Sequence, residues 1–362
     1  MHQALGLAAQ ALFLSSPNPR VGCVLVAPDG RVVGQGFTQQ AGGPHAEVMA
    51  LRDAVARGED VRAATAYVTL EPCSHQGRTG PCCDALIAAG VAKVVGALMD
   101  PNPQVAGQGF ARLRAAGVDV VVGPGADESR ELNIGFFSRM LRGIPWVRMK
   151  AASSLDGATA LHNGTSQWIT SSEARADGHA WRARACTILT GIGTVLEDDP
   201  RLNVRDVATP RQPRIAVVDS RLDMPLTAHV LQAPAGCLIY TSSRDASKTS
   251  ALQDLGATVI PMPNAHGKVD LCAMLRDLAA RGTNELHVEA GFKLNGSLVR
   301  EGLVDELLLY LAPKLLGTGG MGIASFGPLD ALSEALALAL HDVQRIGPDL
   351  RVVARVVDRA SF

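Results

Sequence analysis

His45-Ala46-Glu47 is answered further along the chain by Glu71-Pro72-Cys73 and by Pro81-Cys82. One imidazole, two thiols and a carboxylate in this arrangement constrain the fold, because they share chemistry only if three separated segments converge. Three of the groups suit a zinc ion, which takes His nitrogen and Cys sulfur in tetrahedral geometry. With His45, Cys73 and Cys82 as ligands the fourth position stays open to water, as in catalytic zinc sites. Glu47 falls two residues after His45, on the first turn of an expected helix. From there its carboxylate can reach that water and hand a proton to a leaving amine. A helix beginning near Pro81 favours thiolate at Cys82. A closed structural site, completed by Cys83 or His75, is the alternative. Adjacent Cys82 and Cys83 point about 100° apart on a helix, so only one of them is a ligand, and Cys83 suits a small buried position. Cys23 lies in an apolar strand and reads as core.

Around this cluster, strand-like and helix-like segments alternate. Val21–Val26 and Val32–Phe37 form a hairpin about Pro28-Asp29-Gly30, where Pro presets φ and Gly tolerates the left-handed region. A helix follows from about Pro44, then a strand at Ala66–Leu70, a helix at Pro81–Gly90 and a strand at Val91–Leu98. Gly107–Ala116, Val118–Val122 and Asp127–Leu141 read as helix, strand and helix. Gly143 and Pro145 punctuate a boundary, after which the alternation restarts. Strands run at Val147–Ala152, Cys186–Thr190, Arg214–Asp219, Gly236–Tyr240, Ala257–Ile260, Glu285–Glu289 and Glu306–Ala312. Helices lie between them, the first spanning Ser171–Arg184 with Ser172 as its expected cap. A hairpin turning at Gly347-Pro348-Asp349 closes the chain. The pattern implies α/β layers, and 362 residues suit two domains of roughly 100–200 residues each. The expected domains are 1–144 and 145–362.

Aromatic residues make up only 4% of the chain, so its cores rest on Ala, Val and Leu. The net charge is -1 and no run of like charge occurs, which argues against a nucleic-acid or membrane-surface partner. No stretch approaches the roughly 20 apolar residues of a membrane span. The N-terminus lacks the basic region of a signal peptide. Seven scattered cysteines therefore read as reduced thiols in the cytoplasm.

His-x-Glu with paired Pro-Cys steps is the signature of zinc nucleobase deaminases, with the Glu as acid and base. Here eight residues, Ser74 to Pro81, separate the two ligand cysteines where that signature has two. So long a loop beside a metal can also touch substrate, and His75, Arg78 and Thr79 offer donors for a phosphate or sugar hydroxyl. With this loop, the first half resembles the deaminase half of the bifunctional deaminase/reductase family of riboflavin biosynthesis. Gly80 stands where that family usually has a second Pro. Asn18-Pro19-Arg20-Val21-Gly22 is similar to the family's opening, and Asp100-Pro101-Asn102-Pro103 to a later loop. The resemblance implies a cytidine-deaminase-like three-layer α/β/α domain in which Asn18 helps hold the pyrimidine.

In the second half, three small-residue loops follow strands: Thr190–Val195, Val218–Arg221 and Glu289–Ser297. Their glycines admit a ligand to the backbone, and a helix N-terminus welcomes phosphate, which suggests a dinucleotide laid across strand ends. Gly317-Thr318-Gly319-Gly320-Met321-Gly322 fits G-x-G-x-x-G formally. It lacks a strand–turn–helix setting and reads as a flexible loop. Lys150–Gly157, Ser166–Thr170 and Thr194–Leu202 resemble the same family's reductase half. That resemblance implies a dihydrofolate-reductase-like α/β domain using NADPH. Carried over by motif, Ser153, Trp168, Thr194, Asp198, Ser220, Gly291, Phe292, Lys293, Leu294, Asn295, Gly296 and Ser297 would line the cofactor. Ser166, Arg182, Leu202, Arg205 and Glu289 would face the substrate. Arg182 and Arg205 suit a 5′-phosphate, because a guanidinium fork matches phosphate geometry. No proton donor for the reduction stands out, and Lys150 and Asp156 are the candidates. The family further implies a homodimer or tetramer acting on small phosphorylated pyrimidines.

Overall fold

The computed structural model describes residues 1–75, 80–103 and 105–362. The chain forms two compact units, Met1–Gly143 and Ile144–Phe362.

The first unit runs α1 (His2–Gln10), β1 (Gly22–Val26), β2 (Val32–Phe37), α2 (Ala46–Ala56), β3 (Thr65–Val68), α3 (Cys82–Ala88), β4 (Lys93–Gly96), α4 (Gln108–Ala115), β5 (Asp119–Val122), α5 (Ala126–Leu132) and α6 (Ile134–Arg142). Its five strands lie in the order β2-β1-β3-β4-β5. β1 pairs antiparallel with β2 and β3, while β3, β4 and β5 are parallel. Helices follow each parallel strand, as crossover connections require. Glycines allow the helices to sit close to the sheet. A Cβ on Gly22 would lie 1.9 Å from the Ala4 carbonyl oxygen of α1, and one on Gly34 would lie 2.3 Å from that of Ala50 in α2.

One expectation needs correcting here. The single helix expected over Asp127–Leu141 is two helices meeting at Asn133. The Asn133 side chain accepts from Arg20 N at 2.7 Å and donates to the Arg20 carbonyl at 3.0 Å. That tertiary bonding fixes the break, which helix periodicity alone does not reveal.

The second unit runs β6 (Trp146–Ser154), α7 (Ser172–Arg184), β7 (Thr187–Gly191), α8 (Ile192–Asp198), β8 (Arg214–Val218), β9 (Cys237–Thr241), α9 (Ala246–Asp254), β10 (Thr258–Pro261), α10 (Leu271–Ala280), β11 (Glu285–Val288), α11 (Phe292–Arg300), β12 (Glu306–Ala312), β13 (Leu338–Ile346) and β14 (Asp349–Val356). Its nine strands take the order β10-β9-β8-β7-β11-β6-β12-β14-β13, parallel except for the last two pairings. Alternate residues of the central strands feed two apolar layers. Leu189, Ala216 and Leu238 pack with α10 and α11 on one face. Ile188, Ile215, Val217 and Ile239 pack on the other. The cap of α7 is Ser171, one residue before the expected Ser172, and its hydroxyl accepts from Ala174 N at 3.2 Å. Thr190–Val195, expected as a loop, is the end of β7 and the start of α8.

The same sheet carries a charged layer on the face that α7 covers. Arg148 and Lys150 of β6 share one side of their strand, and Glu285, His287 and Glu289 share one side at β11. Arg148 donates to Glu285 at 2.9 Å and to Glu306, and both carboxylates hold a further guanidinium, Arg184 and Arg355. The Trp181 ring of α7 stacks 4.5 Å from the Arg148 guanidinium. Arg148, Glu285 and Glu306 are each about 1% exposed at most. Among the described residues, no helix is long and apolar enough to cross a membrane.

Candidate functional site

His45 is the extended N-cap of α2, which places Glu47 in the helix's first turn. Cys82 opens α3 after Pro81, and Cys73 lies in the loop beyond β3. The ligand atoms of His45, Cys73 and Cys82 lie within 4.8 Å of one another. His45 Nδ1 is 3.6 Å from Cys73 Sγ and 3.4 Å from Cys82 Sγ. A tetrahedral zinc with Zn–N near 2.0–2.1 Å and Zn–S near 2.3 Å calls for an N···S separation of about 3.6 Å. The donor set therefore fits zinc in both chemistry and spacing.

The alternative of a closed site fails among the described residues. Cys83 donates its thiol to the Cys73 carbonyl at 3.1 Å, and His75 is exposed and outside the ligand group. Arg78 and Thr79 lie outside the described residues. Asn18 sits half-buried in a turn closed by its own N–H on the Ser15 carbonyl at 2.9 Å.

Electrostatics divides the labour. Cys73 is lowered to about 4, by its hydrogen bond with Cys82 first and by His45 after burial's opposing effect, and Cys82 is raised in return. Both thiols must give up their protons to ligate a dication. Glu47 is 3% exposed and is pushed up to about 7, by burial first and then by the Cys73 charge. A carboxyl poised near neutrality can both accept and return a proton.

In the second unit a cleft of about 1700 Å³ opens at the carboxyl ends of β6, β7, β8 and β11. It brings together Trp168, Thr194, Asp198, Ser220, Gly291, Phe292, Lys293, Leu294, Asn295 and Ser297 with Ser166, Arg182, Leu202, Arg205 and Glu289. Ser153 and Gly296 do not line it. Ser153 is buried, and Gly296 is pressed against the Ser325 backbone, where a Cβ would lie 1.9 Å from the carbonyl oxygen. The cleft fits a phosphorylated dinucleotide. The N-terminus of α11 opens onto it beside Lys293, and the buried Asn295 Oδ1 has no partner among the described residues. Trp168 is exposed, with the Arg175 guanidinium 4.5 Å over its ring.

Two expectations shift here. Arg182 presents its fork to Glu289, with Nη2 to Oε2 at 2.8 Å, and gives Nη1 to the Asn203 carbonyl at 3.1 Å. It orders a carboxylate in this structure and is not a free clamp, whereas Arg205 is exposed at the rim. Asp156 accepts the amides of Leu316 and Gly317 at 3.1 and 2.8 Å and is lowered to about 2, by the Ser154 hydroxyl first. It is an anchor for the glycine-rich loop, which reaches the cleft through Met321. Lys150 lines the cleft 3.9 Å from Glu289, and burial lowers its ammonium. Sequence reasoning missed His287, 3.4 Å from Glu289, and His179, which bonds Asp206 at 3.1 Å. The alternation Glu285-x-His287-x-Glu289 was the available signal for the first.

Comparison with known proteins matches each of the two units to a family. Residues 1–98 match the cytidine and deoxycytidylate deaminase zinc-binding region, and residues 145–352 match the RibD C-terminal domain. Riboflavin biosynthesis protein RibD of Escherichia coli (strain K12) is 45% identical over 97% of this chain and 96% of its own. The chain belongs to the RibD family. RibD of Acinetobacter baumannii superposes with a TM-score of 0.88 at 40% identity, covering 98% of this chain and 97% of that one. The diaminohydroxyphosphoribosylaminopyrimidine deaminase/5-amino-6-(5-phosphoribosylamino)uracil reductase of Thermotoga maritima gives 0.88 at 32% identity over the same shares. The two-part α/β architecture expected from the residues is thus the RibD architecture.

Proposed function

We infer that this chain performs two successive reactions of riboflavin biosynthesis. Residues 1–144 would hydrolyse the ring amine of 2,5-diamino-6-ribosylamino-4(3H)-pyrimidinone 5′-phosphate and release ammonia. Residues 145–362 would reduce the ribosyl group of the product to ribityl with NADPH, giving 5-amino-6-ribitylamino-2,4-pyrimidinedione 5′-phosphate. The convergence of His45, Cys73 and Cys82 beside a buried carboxyl carries this reading.

His45, Cys73 and Cys82 would hold a zinc ion, which when bound would lower the pKa of a water for attack. Glu47 takes the proton of the attacking water and delivers it to the departing amine, without leaving its buried position. Asn18 and His75 are assigned to the substrate. In the second unit the nicotinamide supplies the hydride, and the protein supplies orientation. Thr194, Asp198, Ser220, Gly291–Asn295 and Ser297 would hold the cofactor with Trp168. Ser166, Leu202 and Glu289 face the substrate. Arg205 takes the phosphate, Arg182 orders Glu289, and Lys150 is the proton source within reach.

The chain is assigned to the cytoplasm, where its seven free cysteines stay reduced. It is assigned as a homodimer or tetramer, a reading supported by β13, an edge strand with Leu338, Leu340 and Val343 exposed.

The test is Glu47→Ala in the full chain. Ammonia release falls at least about a hundredfold, the scale of general acid–base effects, while zinc content and NADPH oxidation on supplied deaminated substrate persist. Undiminished ammonia release would overturn the mechanism, and equal turnover of single-stranded DNA would favour a nucleic-acid deaminase instead.

A further inference from the structure

Glu71 takes no part in the chemistry above, yet it is 4% exposed and its bonding is specific. Its carboxylate accepts three backbone N–H groups, from Asp100 at 3.1 Å and Gly107 at 2.8 Å on Oε2, and from Phe110 at 3.1 Å on Oε1. Gly107 is the N-cap of α4, and Phe110 is the third residue of that helix. The carboxylate therefore does the work of an N-capping side chain, supplied from a different segment.

The same helix end presses on the next residue along. A Cβ on Gly109 would lie 1.9 Å from the Pro72 carbonyl oxygen and 3.2 Å from Glu71 Oε1. Glu71-Pro72 is thus gripped by α4 from one side. From the other side α3 holds Cys73, whose sulfur accepts from Cys82 N at 3.4 Å and whose carbonyl accepts from Cys83 N at 3.2 Å. Cys73 lies outside regular secondary structure, between these two grips.

We propose that Glu71, together with Gly109, is the positioning device for the metal-ligating sulfur of Cys73. The clasp between the N-terminus of α4 and Pro72 sets where that sulfur stands relative to His45 and Cys82. This inference rests on the zinc reading and adds to it a residue whose loss alters the metal site from outside the ligand set. A carboxylate is required because all three groups aimed at it are donors. Glutamine in its place turns an NH2 toward at least one N–H.

The experiment uses the full chain as wild type, Glu71→Gln and Gly109→Ala. Zinc affinity is measured by competition with a chromogenic chelator, and the cobalt-substituted protein reports thiolate coordination through its sulfur-to-cobalt charge-transfer band. Both variants should bind zinc about ten- to a hundredfold more weakly, the usual effect of losing a group that orients a ligand. Their cobalt band should weaken while NADPH oxidation on supplied deaminated substrate stays at the wild-type rate. Wild-type zinc affinity and cobalt spectrum in folded Glu71→Gln would overturn the proposal. Should that variant fold poorly, excess cobalt decides. Recovery of fold and spectrum supports a role through Cys73, and failure to recover shows that Glu71 supports only α4 and overturns it. A wild-type chain without zinc affinity would instead sink the zinc reading itself.

Discussion

Replacing Arg182 by Lys should separate the two activities of this chain. Arg182 holds Glu289 through two N–H···O bonds and fastens the 203 loop through a third, at 2.8 and 3.1 Å for Nη2 and Nη1. Its side chain is 15% exposed and that of Glu289 is 12%, so solvent does little to replace what is lost. Lysine keeps the charge but offers a point donor where the fork made a planar pair. At least one charge-assisted bond disappears, at about 1.5–3 kcal/mol. If Glu289 must be held for hydride transfer, that loss lowers kcat/KM for reduction roughly ten- to a hundredfold, at 1.36 kcal/mol per decade. The assay supplies deaminated substrate and follows NADPH oxidation by absorbance. A parallel assay on the diamino substrate follows ammonia. Reduction within twofold of wild type would refute the assignment of Arg182 as the residue that orders Glu289. An equal fall in both activities would show that the change acts through general folding.

Two further outcomes follow from the charged layer beneath α7. Arg148→Met leaves Glu285 and Glu306 buried with one guanidinium fewer between them, and breaking such a pair costs about 3–5 kcal/mol. Thermal melting of the reductase unit should fall by roughly 2–4 °C per kcal/mol, and an unchanged melting point would show the network to be dispensable. His179 is pushed down from its ordinary 6.5 to about 4, by burial first and then by the Arg182 and Arg205 charges. The unfolded chain thus gains its proton at a higher pH than the native one. Stability is lost as pH falls from 6.5 toward 4. His179→Gln should flatten that slope in melting curves taken between pH 7 and pH 4.5.

The candidate zinc cluster was legible because zinc chemistry restricts residue types more tightly than any fold does. His45, Cys73 and Cys82 stand out wherever the chain places them. Most strands were legible as well, since buried parallel strands are continuous apolar runs such as Ile215–Val218. What escaped depends on partners distant in sequence. Asn133 breaks a helix because Arg20 meets it, and no local preference marks that position. The fork that suits Arg182 to a phosphate is filled by Glu289, more than a hundred residues away in sequence. Asp156 is occupied by the amides of Leu316 and Gly317, which no local pattern around it reveals. His287 escaped because polar residues alternating along a strand ordinarily face water, whereas here Arg148, Glu285, His287 and Glu306 are buried. Glu71 was visible only as a neighbour of Cys73, for its three donors come from residues 100 to 110.

The charged layer also bears on what happens when a phosphorylated sugar enters the cleft. In water such a ligand is met by mobile dipoles that must turn to follow each change in its charge. Here Arg182, Glu289 and Lys150 stand at the open end of a row of ions already locked by Arg148, Glu285 and Glu306. Charges fixed in this way hardly rearrange as a hydride and a proton are transferred, so the reorganisation that dominates such barriers in solution is settled when the protein folds.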